Sequence, residues 1–272
     1  MAVTMAEITK LRTMTGAGMM DCKNALTESN NDMEKAIELI RKRGQAIAAK
    51  RSDREASEGC VLAGINGGFA CVVAVKCETD FVAKNADFIA LTQKILDTAL
   101  TNQPETIEAL SALQIDGRTV ADLVTERSGV TGEKMELGYY EFVKGASVVE
   151  YIHTGNKLAT IVAFEQAGVE RQTARDIAMQ VASMNPIALN KDSVSAKVIE
   201  QELEIGRDKA RQEGKPENML DKIAQGRLQK FFQESTLLSQ AFIKDGSITI
   251  EQYAQQNNAM PIDFKRVTLN QD

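Results

Sequence analysis

Two stretches of this chain, 59–100 and 145–184, follow one plan: a β-rich run, a Gly/Asn turn, a second β-rich run, a polar break and a helical pattern. In the first stretch the runs at 60–65 and 69–77 flank Asn66-Gly67-Gly68, a strong hairpin signal. In the second, the runs at 146–153 and 158–166 flank Thr154-Gly155-Asn156. A hairpin with one helix is marginal alone, because the helix must cover one sheet face before the unit holds. Two such units side by side make an α+β core, and their repetition reads as an internal duplication. A strand pattern at 137–143 precedes the second unit, and residues 262–269 alternate as a closing strand.

Helical patterns surround this core. Ile8, Leu11 and Arg12 follow one face until Gly16-Ala17-Gly18 breaks it; residues 19–28 resume with Ala25 and Leu26 inward. Asn30-Asn31-Asp32 is a stop-and-cap signal, and Met33, Ala36, Ile37 and Ile40 then recur at i, i+3, i+4 and i+7. Gly44 is expected to end that helix, leaving 48–54 as a polar tether beneath a compact helical head. Shorter helical patterns lie at 106–113 and 120–127. Residues 193–213 and 217–234 flank Gly214-Lys215-Pro216 with narrow apolar stripes, Val194, Val198 and Ile205 on one side and Leu220, Ile223, Ala224, Leu228 and Phe231 on the other. Such stripes suit an antiparallel coiled-coil hairpin, the alternative being two surface helices lying on the sheet. The map is therefore head and linker at 1–53, core subdomains at 54–135 and at 136–186 with 235–272, and the hairpin at 187–234.

Composition excludes several classes of function. A formal net charge of −6 argues against a general nucleic-acid binder, which needs a basic field to displace counterions from phosphates. The apolar runs fall short of the roughly 20 residues that a membrane helix needs, and residues 1–13 lack the pattern of a secretory signal. Cys22, Cys60, Cys71 and Cys77 form no CxxC pair, which fits a reducing cytoplasm. Zinc on Cys60, Cys71 and Cys77 lacks a nearby fourth ligand, so buried thiols packing as small apolar groups are expected, with no metal and no cofactor. With His153 as the one histidine, no GxSxG elbow and no GxxxxGK[ST] loop, the chain reads as a binding protein rather than an enzyme. Gly16-Ala17-Gly18 superficially opens a dinucleotide fingerprint, but Asp21 stands at the third glycine and no strand precedes it.

Two segments stand out. In TGAGMMDCKNAL (15–26), Met19 and Met20 point about 100° apart on a helix, so one of them is expected to be exposed, as suits an adaptable protein contact. Lys23, at i+4, shares the face of Met19. In ETDFVAKN (78–85), Phe81 has no periodic partner and follows the acidic Asp80. Its local sequence leaves open an interface anchor or a hydrophobic staple under the next helix.

TGAGMMDCKNAL and TDFVAKN resemble, in order and separation, the two signature segments of the elongation factor Ts family, bacterial and organellar guanine-nucleotide exchange factors for elongation factor Tu. The resemblance covers essentially the whole chain as a ubiquitin-associated-like head, a duplicated core and a coiled-coil insertion. It implies that Arg12, Met19, Met20 and Lys23 bind the GTPase domain of Tu. It implies that Thr79, Asp80, Phe81 and Val82 act in displacing the magnesium ion of the bound nucleotide, the Phe wedging between helices. His153, and more weakly Gly132, are implied contacts of the core with Tu. Thr131-Gly132-Glu133 aligns with a third segment, in which Thr131 departs from a usually apolar position. The helical extension that follows the last strand in some members is not expected here. Neither nucleic acid nor membrane is an expected partner. The other reading is a ubiquitin-associated-like adaptor without exchange activity.

Overall fold

The structure is a computed structural model that describes residues 2–270. Helices α1 (Met5–Thr15), α2 (Met19–Glu28) and α3 (Met33–Lys50) form the N-terminal unit. Thr4 and Glu7 close a capping box on α1, and the Asp32 carboxylate accepts from the Lys35 amide to start α3. Gly16, left-handed at φ 69°, ends α1, and the turn through Gly18 opens α2. Ile8, Leu11, Cys22, Ala25, Leu26 and Ala36 fill the space between the three helices.

Helix α3 does not stop at Gly44. It continues to Lys50, and Gly44 is buried in mid-helix. An isolated glycine costs a helix about 1 kcal/mol, and here a tertiary contact decides against that cost. Much of the expected tether is therefore helix, leaving a tight turn at 51–54.

Strands β1 (Glu58–Asn66) and β2 (Phe69–Cys77) pair in full register across Gly67-Gly68, with Gly67 at φ 61°. A single turn, α4 (Asp80–Ala83), leads into α5 (Ala86–Asn102), then α6 (Ile107–Ala112), the short β3 (Gln114–Ile115) and β4 (Arg118–Thr119), and α7 (Val120–Thr131). Strand β5 (Glu136–Lys144) joins the free side of β2, giving an antiparallel sheet of order β1-β2-β5. Strands β6 (Ser147–Ile152) and β7 (Leu158–Phe164) begin the second sheet, α8 (Arg171–Met184) covers it, and α9 (Ala196–Gln212) and α10 (Leu220–Ser235) follow. The chain returns through β8 (Ala241–Phe242), β9 (Asp245–Thr249) and α11 (Ile250–Gln256) to β10 (Pro261–Thr268), which completes the antiparallel order β10-β7-β6. The fold is α+β.

The two sheets are stacked face to face rather than set side by side. Alternation along the strands divides the side chains between the two faces of each sheet. Val61, Ala63, Ala70, Val72, Ala74 and Val143 of the first sheet meet Ala159, Ile161, Ala163 and Val267 of the second. On its other face the first sheet presents Cys60, Leu62, Cys71, Val73, Val75 and Cys77 to Phe88, Ile95 and Leu96 of α5. Val162 and Phe164 of β7 meet Ile177 and Val181 of α8, with Leu237 and Ile250 closing that layer. Strands β2 and β7 are central, buried on both faces, and read as continuous apolar runs for that reason.

Cys60, Cys71 and Cys77 thus lie within one apolar layer, and burial pushes their thiols up to about 11, 12 and 12 respectively. Among the described residues no group of three or more His, Cys, Asp or Glu side chains is placed to hold a metal ion. No described helix is long and apolar enough to cross a membrane. Helices α9 and α10 form an antiparallel pair whose base is fixed by Val194, Leu228, Phe232 and Ala188. Further out, Gly206 lies against Ala224, and Arg207 reaches Asp221 at 2.7 Å.

Candidate functional site

Strand β2 ends at Cys77, whose thiol donates to the Thr79 carbonyl at 3.3 Å. Thr79 is extended, at φ −123° and ψ 153°, and its hydroxyl oxygen caps the single turn α4 by accepting from the Val82 amide. The last three residues of α4 then divide cleanly. Ala83 is buried and Val82 half-buried against the first sheet's core, while Phe81 points outward and is 84% exposed. A hydrophobic staple under α5 is thereby ruled out. Full burial of a Phe side chain is favourable by about 1.5–3 kcal/mol, and this fold leaves most of that unused.

Beside Phe81, the Lys84 ammonium contacts the Asp80 carboxylate at 2.6 Å. That hydrogen bond, then the charges of Lys84 and Lys157, holds the Asp80 carboxyl below its usual range, and the Lys84 ammonium is raised in return. Lys157 also pairs with Glu58 at 2.7 Å, which brings the turn after β6 toward the start of β1.

The turn is braced from α7. Glu133 accepts from the amides of Glu78 and Thr79 at 3.2 and 3.0 Å, and from the Thr79 hydroxyl at 2.6 Å. In exchange, Glu78 accepts from the Lys134 amide at 2.6 Å and from Arg51, whose guanidinium lies 2.9 Å from both carboxylate oxygens. The Lys134 amide first, and Arg51 after it, hold the Glu78 carboxyl below its usual range. Gly132, left-handed at φ 74°, ends α7 and turns the chain so that Glu133 can face the loop. Gly132 thus stands next to the residue that holds Glu78 and Thr79.

His153 is exposed at the end of β6, with its Nδ1 3.0 Å from the Tyr151 hydroxyl. Arg12 on α1 and Met19, Met20 and Lys23 on α2 are all exposed. Met19 and Met20 are 41% and 64% exposed, so both methionines face solvent where the spacing predicts one. The brace formed by Glu133, Glu78 and Arg51 was not legible in the sequence: its partners lie up to 56 residues apart, and only Gly132, as a helix stop, signals the turn.

Met19, Met20 and Phe81 are thus apolar side chains carried on helices and left outside every packed layer of the fold. A model of the family described as Elongation factor TS matches residues 78–271. The elongation factor Ts of Porphyromonas gingivalis is 62% identical over the whole of both chains, and that of Azobacteroides pseudotrichonymphae is 54% identical, again over the whole of both. The elongation factor Ts of Bacteroides fragilis is 44% identical over 99% of each chain. The chain belongs to the elongation factor Ts family of translation factors, which exchange guanine nucleotide and are not enzymes.

Proposed function

We propose that this chain binds the GDP-bound form of elongation factor Tu in the cytoplasm and accelerates release of GDP, so that GTP can enter. A GTPase holds GDP through its phosphate loop and a magnesium ion that offsets the phosphate charge. A protein that favours a conformation with those ligands displaced weakens GDP by the same factor by which GDP weakens the protein. Each tenfold of that coupling needs about 1.4 kcal/mol, so acceleration by several decades draws on a broad surface rather than one side chain.

In this reading, Thr79, Asp80, Phe81 and Val82 form the element that disturbs magnesium and phosphate binding. Arg12, Met19, Met20 and Lys23 of a ubiquitin-associated-like head grip the GTPase domain. His153 and Gly132 are lesser contacts of the duplicated core, and α9 with α10 forms the coiled-coil hairpin. The observation that carries it is the 84% exposure of Phe81 on a turn whose entrance is held by the Glu78 and Thr79 amides on Glu133 and by the Val82 amide on the Thr79 hydroxyl. An apolar ring held rigidly in solvent has its use in a partner's groove.

The test is release of labelled GDP from Tu mixed with this chain. Wild type should accelerate release, and Phe81→Ala should lose about 30-fold or more, the equivalent of the 2 kcal/mol expected of an interface anchor. Equal acceleration by Phe81→Ala would remove this reading of the turn.

A further inference from the structure

The geometry points to Glu133 as a positioning residue for exchange: it acts through Phe81, by fixing the direction in which α4 presents the ring. This rests on the function proposed above. A helix of a single turn has little stability of its own, because nucleation fixes several dihedrals for one hydrogen bond. The direction of Phe81 is therefore set by whatever holds Thr79. Three of the donors at the turn's entrance, the Glu78 and Thr79 amides and the Thr79 hydroxyl, converge on the one Glu133 carboxylate. Glu133 is itself held, since its amide donates to the Thr131 hydroxyl oxygen at 3.3 Å, and that hydroxyl donates to the Arg127 carbonyl at 3.1 Å. Thr131 thus anchors the brace through its hydroxyl, a task that an apolar side chain cannot perform. Glu133 is 54 residues from Thr79 in sequence, so the brace transmits the position of α7 directly to the turn.

Removing the carboxylate leaves three donors to find water and frees Thr79 to rotate. The first core layer, which lies behind the turn, keeps its own contacts through Val82 and Ala83.

The experiment is a double-mutant cycle between Glu133→Ala and Phe81→Ala, read as GDP release from Tu across a range of concentrations of this chain. Residues that act as one unit give strongly non-additive losses. Glu133→Ala alone should lower the maximal release rate about tenfold and move the half-saturating concentration less than about threefold. Added to Phe81→Ala, it should cost less than about twofold more, and Glu133→Gln, which keeps one acceptor oxygen, should recover part of the loss. Amide hydrogen exchange on the full chain supplies a readout of the turn itself: Glu78 and Thr79 should exchange faster in Glu133→Ala, with β2 unchanged. Additive losses in the cycle, or an unchanged rate for Glu133→Ala, overturn the proposal. So does loss of protection in β2 together with the turn, because Glu133 would then hold the fold rather than Phe81. If Phe81→Ala exchanges at the wild-type rate, the functional reading fails first and this one falls with it; a slow Phe81→Ala with an additive Glu133→Ala sinks the positioning role alone.

Discussion

Gly44 and Gly129 meet backbone to backbone where α3 crosses α7, and the two sides of the contact are not equivalent. A methyl group on Gly44 would sit 3.4 Å from the Glu126 carbonyl and 3.5 Å from the Gly129 α-carbon, ordinary contact distances. A methyl group on Gly129 would overlap the Gly44 α-carbon itself. The crossing is flanked by Arg41, which pairs with Glu126 at 2.7 Å, and Glu126 also pairs with Arg118. The N-terminal unit is thus fastened to the core through α3.

The asymmetry yields a paired prediction. Gly44→Ala should be neutral or should stabilise by up to about 1 kcal/mol, the helix preference of Ala over Gly. Gly129→Ala should destabilise by about 1–3 kcal/mol, the usual cost of overpacking, since backbone cannot move aside as a side chain does. Thermal unfolding of the two variants checks this, and equal effects would remove the close crossing.

Two phenylalanines seven residues apart should behave oppositely. Phe81 is 84% exposed, so Phe81→Ala should alter stability by less than about 1 kcal/mol. Phe88 is fully buried in the first core layer, and Phe88→Ala should cost about 3–5 kcal/mol. Denaturant unfolding separates them. A strongly destabilised Phe81→Ala would mean that the ring packs on its own protein.

Much of the core was legible because its signals are local. Asn66-Gly67-Gly68 marks the hairpin, and the β-rich runs at 60–65 and 69–77 on either side of it mark its strands. Stacking of the sheets was not legible, because it depends on Ala70 and Ala74 meeting Ala159 and Ala163, a match of small residues across long separations. Gly44 misled for a related reason: local propensity says stop, and only Gly129, 85 positions later in sequence, explains the continuation. Segments β3, β4, β8 and β9 are too short to carry a period. The motif around Phe81 could be found in sequence, but its exposure could not, since a staple and an anchor share the same local pattern.

The buried thiols make stability fall at high pH. Unfolded Cys titrates near 9.0, whereas Cys60 is pushed up to about 11 and Cys71 and Cys77 to about 12 by burial. Their folded values are raised, so their contribution is fully present below about pH 9 and is lost as pH rises toward 11–12, where the unfolded chain releases protons that the folded one keeps. Melting temperatures should therefore decline above pH 9, and Cys71→Ala should flatten the decline. At pH 8 a thiol reagent should label none of the four buried cysteines in the native chain, and all four once it is denatured. Rapid native labelling of Cys71 would contradict the packing of the first layer.

Glu78 should make the joint between α3, the Phe81 turn and α7 weaken in acid. Its carboxyl accepts from the Lys134 amide at 2.6 Å and from both sides of the Arg51 contact at 2.9 Å, interactions that favour the ionised form. The folded value consequently lies below the ordinary 4.5. A lowered value stabilises the fold above the unfolded value, and that stabilisation disappears as pH falls through the folded one. Glu78→Gln keeps the shape but removes the charge. It should melt below wild type at pH 7, and the difference should shrink as pH drops below about 4.5, because the unfolded wild-type chain then takes up a proton that the folded carboxyl resists. Arg51→Ala should reproduce a smaller part of the pH 7 loss, since Arg51 is the partly exposed partner and the Lys134 amide remains. Thermal melts of the three proteins at pH 7 and pH 3 decide the matter. A Glu78→Gln deficit that persists undiminished at pH 3 would show that the loss comes from packing around the side chain and not from its charge.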